Sequence, residues 1–342
     1  MGTEFLKNRG SRLLCSLLTI TIFSIFFINE TQASITVQDF RGKTLKLNKP
    51  AERVVCLIES ALTGIYMLQQ GHKLVGIPTN VYSEGFYYSE TFKYYALLDE
   101  RIKLKKIPAV GNWESVNIEK VISLKPDLII IWANQKDAIE VFEKLGIPVY
   151  GVFITKIDDV FKEIMDFGLI LGAKERAEKL IKYSKEEIKK IETISKTIKK
   201  RKKVYFSWAQ HSFLQTSCEG SIVDEIIKTV GGINICGHIR AESQVLTMET
   251  LVKLNPDIII MWFSKILKPD DIKKNTQYKT IKAVKNHAIY QFNDTFFFDL
   301  WTLKLLYSMK FMAKSIYPEY FEFDLEREKQ RLMNFLYGKK IL

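Results

Sequence analysis

The chain has 342 residues, 47% of them hydrophobic and 26% charged, with 51 Lys and Arg against 39 Asp and Glu for a formal net charge of +12. This is the composition of an ordinary globular protein, long enough for two core-bearing domains, and it excludes a disordered or collagen-like chain. The basic excess is spread as Lys on helical stretches such as 182–203, which reads as a solvated face; no arginine-rich arm, zinc-finger spacing or RNA-binding signature supports a nucleic-acid partner.

At the N-terminus, Lys7, Arg9 and Arg12 precede an apolar run over 13–28, then polar 29–32 and Ala33. That order predicts a secretory signal peptide over 1–33, cleaved near Ala33, and hence an exported, periplasmic protein. The run is short for a spanning helix of about 20 residues, although an uncleaved anchor remains the alternative. Cys15 opens the apolar run instead of closing it beside small residues, which argues against a lipid-modified cysteine. Of the remaining cysteines, Cys56 lies in an apolar strand-like run. Cys218 and Cys236 could pair in an oxidising compartment, a question that spacing alone leaves open.

Residues 35–47 alternate around Arg41-Gly42 and predict a β-hairpin leading into a first lobe. Residues 53–58 predict a strand, 60–70 a helix and 74–77 another strand, followed by a Tyr-rich segment over 82–95. Residues 149–153 close the lobe as a strand. From 157 to about 200 the main helix breaker is Gly172, so a long helical connection, of one helix or two, is expected. Residues 204–208 then open a second lobe as 53–58 opened the first. A helix over 222–230 ends at Gly231-Gly232, a strand follows at 288–292, and helices run to the C-terminus.

One sentence of this sequence occurs twice. Residues 118–132, Ile-Glu-Lys-Val-Ile-Ser-Leu-Lys-Pro-Asp-Leu-Ile-Ile-Ile-Trp, return at an offset of 130 as 248–262, Met-Glu-Thr-Leu-Val-Lys-Leu-Asn-Pro-Asp-Ile-Ile-Ile-Met-Trp, with seven of fifteen positions identical. So long a period suggests two similar lobes, not a solenoid. Asn117 and Thr247 are candidate N-caps, with Glu119 and Glu249 in the first helical turn, where negative charge suits the helix dipole. Each helix must stop before Pro126 or Pro256. The apolar runs that follow lack alternation, as do strands covered on both faces of a parallel sheet. Trp132 and Trp262 then sit at the carboxyl ends of strands, the side on which open α/β sheets bind ligands.

Taken in order, several pieces resemble the periplasmic substrate-binding proteins of ABC importers for iron–siderophores, haem and cobalamin. They are Arg53-Val-Val with Leu74-Val-Gly-Ile, Pro108-Ala-Val-Gly, Asn117-Ile-Glu with Lys125-Pro-Asp-Leu-Ile-Ile, Ser221-Ile-Val-Asp-Glu-Ile-Ile, Gly231-Gly-Ile-Asn, Thr247-Met-Glu, Asn255-Pro-Asp and Tyr317-Pro-Glu-Tyr-Phe. The resemblance implies an α/β fold of two Rossmann-like lobes with parallel-rich sheets, joined by a long rigid helix. Its divisions would be an N-terminal lobe over 34–153, a connecting segment over 154–202 and a C-terminal lobe over 203–342. It implies a monomeric binding protein, not an enzyme, that hands a metal chelate to an ABC permease and its ATPase. The chain has no G-x-x-x-x-G-K-[ST] of its own, so the energy source lies in another protein. In the similar cobalamin-binding protein one surface glutamate per lobe docks on arginines of the permease; the matching positions here are Glu119 and Glu249.

The ligand is expected between the lobes, on a wall of aromatics that follow predicted strands: Trp113, Trp132, Trp208, Trp262, Phe297 and Trp301, with Tyr82 and Tyr87 from the Tyr-rich segment. Core packing is the bland alternative for each. His211, just past a second-lobe strand, could complete the coordination of a metal held in a chelate, and Arg240 could pair with an anionic chelate. No intrinsic cofactor is expected; the metal would arrive within the ligand, iron first, with cobalt or nickel as alternatives. A free zinc or manganese site is disfavoured by a total of four histidines. A nickel or cobalt chelate is the nearest rival reading. A periplasmic enzyme is the rival of a different class, and it lacks a nucleophile elbow, an H-E-x-x-H pair or a Gly-rich phosphate loop.

Overall fold

The computed structural model describes residues 34–83, 91–210 and 212–341. The expected signal segment, Tyr87 and His211 fall outside these described residues. The chain begins with strands β1 (Ile35–Gln38) and β2 (Thr44–Leu47), an antiparallel hairpin as its alternation requires. The first lobe continues with β3 (Val54–Cys56), α1 (Glu59–Met67), β4 (Leu74–Gly76), α2 (Phe92–Leu98), α3 (Glu100–Lys103), α4 (Ile118–Ser123), β5 (Leu128–Trp132), α5 (Lys136–Lys144) and β6 (Val149–Val152). Two helices follow, α6 (Ile157–Ile170) and α7 (Lys174–Ser195). The second lobe holds β7 (Lys203–Ser207), β8 (Gln215–Thr216), α8 (Ile222–Thr229), β9 (Ile233–Asn234), β10 (Gln244–Val245), α9 (Met248–Leu254), β11 (Ile258–Met261), α10 (Pro269–Lys274), α11 (Lys282–Lys285) and β12 (Ile289–Gln291). It is followed by α12 (Leu305–Ile316) and α13 (Leu325–Tyr337).

Each lobe carries a four-stranded parallel sheet, ordered β4-β3-β5-β6 in one and β9-β7-β11-β12 in the other. Setting aside the small β8–β10 pair, both sheets follow the same order: second strand, first, third, fourth. The sequence repeat is therefore an architectural one. Its Pro-Asp does the same work twice. The Asp127 carboxylate accepts from the backbone N–H groups of Glu52 and Arg53 (2.8 Å each), and the Asp257 carboxylate from that of Lys203 (2.8 Å). Each aspartate thus ties the amino end of its own strand to that of the lobe's first strand. The residues before the prolines, Lys125 and Asn255, end their helices in the left-handed region at φ 48° and 47°, a common way for a helix to stop, at the place where the following proline excludes αR.

The expected rigid helix is the 22-residue α7, preceded by α6; Gly172, at φ 74°, lets the chain turn between them. α7 does not brace the lobes alone. Its Glu187, with a side chain 2% exposed, accepts from Lys310 of α12 (2.7 Å) and Arg331 of α13 (2.6 Å). Past the end of α13, Lys339 donates to the carbonyls of Leu97 and Leu98 (3.0 and 2.7 Å), which brings the C-terminus back to the first lobe. Arg176 of α7 links the carbonyl of Met67 (3.1 Å) to those of Phe335 and Leu336 (2.7 and 2.8 Å). One buried apolar cluster accordingly runs through both lobes, from Val37 to Ile341.

Cys218 and Cys236, 18 positions apart in sequence, are joined in a disulfide with Cα atoms 4.8 Å apart. A loop of that length is worth about 3 kcal/mol through the unfolded state. Cys56 is a free, buried core thiol whose titration burial pushes far up. No helix among the described residues is long and apolar enough to cross a membrane.

Candidate functional site

In a sheet of this order the chain reverses direction between the first and third strands, and loops leaving their carboxyl ends diverge to open a crevice. Both sheets open one at the same place. Leu57, Ile58 and Glu59 follow β3, Trp132 ends β5, Trp208 follows β7 and Trp262 follows β11; all six line a single cavity of about 260 Å³ between the lobes. Trp113 and Trp301 complete the wall, so all five tryptophans of the chain meet here.

The second-lobe tryptophans form one aromatic face. Trp208 stacks on Trp301 with ring centres 5.8 Å apart and planes 9° from parallel, and Trp262 meets both at 5.3 and 5.9 Å. The Trp208 indole N–H donates to the Ser217 hydroxyl (2.9 Å), which satisfies its polar edge and fixes the ring. Trp262 is 5% exposed, whereas Trp113 is 53% exposed at the opposite, first-lobe side of the cavity.

The charged part of the lining is a compact group. Glu59, the first residue of α1, accepts from the Tyr95 hydroxyl (3.2 Å). Asp299 accepts from the backbone N–H of Trp301 (2.9 Å) and pairs with the Lys304 ammonium (3.3 Å), which also lies 4.5 Å above the Phe296 ring. Burial pushes the Glu59 carboxyl up to about 7; Lys304 opposes this rise, Asp299 adds to it, Tyr95 opposes it through its hydrogen bond, and Asp294 adds to it.

Trp113, Trp132, Trp208, Trp262 and Trp301 are brought together as the sequence led one to expect, but three other expected wall residues are not. The Tyr82 hydroxyl donates to the Ile107 carbonyl (2.9 Å), away from the lining. Phe297 is buried with its ring centre 4.5 Å from that of Tyr94 and the Lys329 ammonium 5.3 Å above it; its neighbour Phe298 lines the cavity instead. Phe296, Phe297 and Phe298 are consecutive, and periodicity could not say which of them faces in. Arg240 is exposed and pairs through its backbone with Glu219, outside the cavity, so it does not charge the wall. Sequence reasoning missed Glu59, Tyr95, Asp299 and Lys304. Glu59 carried a usable signal, a carboxylate directly after the first lobe's opening apolar strand, and Tyr95 closes the Tyr-rich segment over 82–95; Asp299 and Lys304 carried none. Among the described residues no group of three or more His, Cys, Asp or Glu is placed to hold a metal ion.

Glu119 and Glu249 occupy the same position of equivalent helices, the second residue of α4 and of α9, and both are exposed. Their helices are capped alike: the Asn117 side chain accepts from the Lys120 N–H (2.9 Å) and the Thr247 hydroxyl from the Thr250 N–H (3.1 Å).

The profile of a family described as "Periplasmic binding protein" matches residues 54–295. The chain is 29% identical over 298 residues to the uncharacterized ABC transporter substrate-binding lipoprotein YvrC of Bacillus subtilis, covering 84% of this chain and 87% of that one. It is 25% identical over 220 residues to a vitamin B12-binding protein of Yersinia pestis, covering 62% of this chain and 69% of that one. The molybdate periplasmic binding protein MolA of Haemophilus influenzae, at 17% identity, superposes with a TM-score of 0.74 over 89% of this chain and 98% of its own; that likeness concerns the fold.

Proposed function

This chain belongs to the periplasmic binding protein family, and on that premise we propose that it captures a metal chelate of the siderophore, haem or corrinoid type between its lobes and delivers it to an ABC permease. As a substrate-binding protein of an ABC transporter it is not an enzyme, and it works outside the cytoplasm with a permease and an ATPase as partners. The observation that carries the finer reading is the convergence of all five tryptophans on one cavity at the carboxyl ends of both sheets. An aromatic side chain removes about 150–250 Å² from water when buried, and at about 25 cal/mol per Å² several such rings favour a large ligand with flat or apolar faces. A small hydrated oxyanion would gain little from them.

The two lobes share one core and are tied by α7, α12 and α13, so closure on the ligand is small. Glu119 and Glu249, exposed at equivalent places, are the docking points for the permease. Residues 1–33 act as the export signal, with the mature chain starting at Ser34.

The test is intrinsic tryptophan quenching, with native mass spectrometry, against haem, cobalamin, ferric siderophores, and nickel and cobalt chelates. A saturating quench by one class, with the ligand chemically unchanged, is the expected result. Silence across the panel would remove the metal-chelate assignment and leave the family membership standing.

A further inference from the structure

We propose that the cleft selects a positively charged ligand, one whose apolar body lies against the indoles and whose cationic group faces Glu59. This rests on reading the cavity as the ligand site, and it narrows the class of chelate that the site accepts.

The charges in the lining point one way. None of the described lining residues is Arg or His. Lys304 is the one cation among them, and its ammonium is already engaged by the Asp299 carboxylate at 3.3 Å and the Phe296 ring face at 4.5 Å. An incoming anion would have to compete with Asp299 for it. Glu59 has no such dedicated counter-ion; its hydrogen bond comes from the neutral Tyr95 hydroxyl at 3.2 Å. Among the described lining residues, two carboxylates thus stand against one cation. The indole faces around them carry negative quadrupole potential and attract cations.

This local sign opposes the protein's overall sign. With a formal charge of +12 the chain as a whole draws anions toward it. A cavity of inverted sign within a basic protein discriminates between ligands by charge, since an anion that reaches it once Glu59 has ionised, above about pH 7, meets two carboxylates that share one ammonium. Polyanionic ferric catecholates and haem, with its two carboxylates, are the chelates this arrangement rejects. A cationic corrinoid or another positively charged complex is what it accepts.

Tetraphenylphosphonium and tetraphenylborate carry the same four phenyl groups around one central atom and bear opposite charges. Titrated at pH 8, where Glu59 is ionised, against tryptophan fluorescence of the full mature chain near 0.15 M salt, the phosphonium is expected to bind at least tenfold more tightly than the borate. Glu59→Gln, which keeps the shape and the contact with Tyr95, should lower that ratio at least fivefold, whereas Glu59→Asp should retain it. Equal affinity, preference for the borate, silence from both ions, or an unchanged ratio in Glu59→Gln overturns the proposal. The chelate panel run on the same protein separates the two readings. Phosphonium preference with no chelate bound leaves the charge class standing and removes the chelate assignment; chelate binding without charge preference does the reverse.

Discussion

Trp132 and Trp262 stand 130 positions apart in sequence, at the same place in a repeated helix–strand unit, and both line one cavity from opposite lobes. Each closes the third strand of its sheet, where neighbouring loops part. Two copies of one unit, facing each other, therefore supply equivalent halves of a single wall.

If those two rings are ligand contacts, each should matter for affinity. Trp132→Ala and Trp262→Ala are each expected to weaken ligand binding about tenfold to thirtyfold, or about 1.5–2 kcal/mol. Because Trp262 is the more deeply buried and packs on Trp208, Trp301 and Phe292, its replacement should also lower thermal stability, by about 3 kcal/mol or more. Fluorescence titration with thermal melts separates the two effects. Unchanged affinity in Trp132→Ala would return that residue to the core.

Docking is tested by reversing charge at two exposed positions. Glu119→Arg with Glu249→Arg should leave ligand affinity as it was and abolish uptake in cells, at a stability cost of about 0.3–1 kcal/mol for each first-turn carboxylate lost. Normal transport by the double variant would sink the docking role.

Glu59 makes a pH prediction with a definite sign. Its folded-state value, about 7, lies above the ordinary 4.5, chiefly because burial disfavours the carboxylate. The folded chain therefore holds this proton more tightly than the unfolded chain. Stability from this group is fully present below about 4.5 and is lost as pH rises toward 7. Affinity for a cation should move the other way and increase through the same range as the carboxylate ionises. Glu59→Gln should flatten both dependences; chemical denaturation and phosphonium titration at pH 5, 6, 7 and 8 check them.

Glu187 has the opposite sign. Burial alone would raise its carboxyl, but hydrogen bonds from Lys190, Lys310 and Arg331 outweigh that and hold it at about 2, below the ordinary 4.5. Its contribution is present above about 4.5 and is lost as pH falls toward 2. The shift corresponds to about 3 kcal/mol. Glu187→Ala, which leaves the buried Lys310 ammonium with Glu328 (2.9 Å) as its remaining carboxylate, should cost about 1.5–3 kcal/mol at neutral pH. A loss under 1 kcal/mol in urea unfolding would show that the network does not brace α7 against α12 and α13.

Much of the framework was legible from local signals. The hairpin at Gly42, the strands opening each lobe and the helix closed by Gly231-Gly232 follow from alternation, apolar runs and turn chemistry, which act over a few residues. The repeat went further, because identical Glu, Pro-Asp and Trp at one fixed offset imply identical surroundings in two lobes. Trp132 and Trp262 were placed at strand ends by the unbroken apolar run that each copy carries after its Pro-Asp.

Local signals failed where a side chain's direction depended on partners far along the chain. Three consecutive phenylalanines, Phe296 to Phe298, offer no period, and packing against Tyr94, Tyr307 and Phe311 decides that Phe298 faces the cavity and Phe297 does not. Arg240 looked like a ligand for anions until the fold put it outside. The meeting of Glu59 and Tyr95 with Asp299 and Lys304 joins residues more than 200 positions apart, and it comes about because the loop before α12 reaches the first lobe's cleft. Sequence by itself determined the two lobes, the elements that build them and the aromatic character of the wall, since each is specified by short-range pattern or by repetition. Tertiary structure alone decided the charge of the cleft, because charge at a point in space is the sum over whichever side chains the chain's long-range contacts bring there.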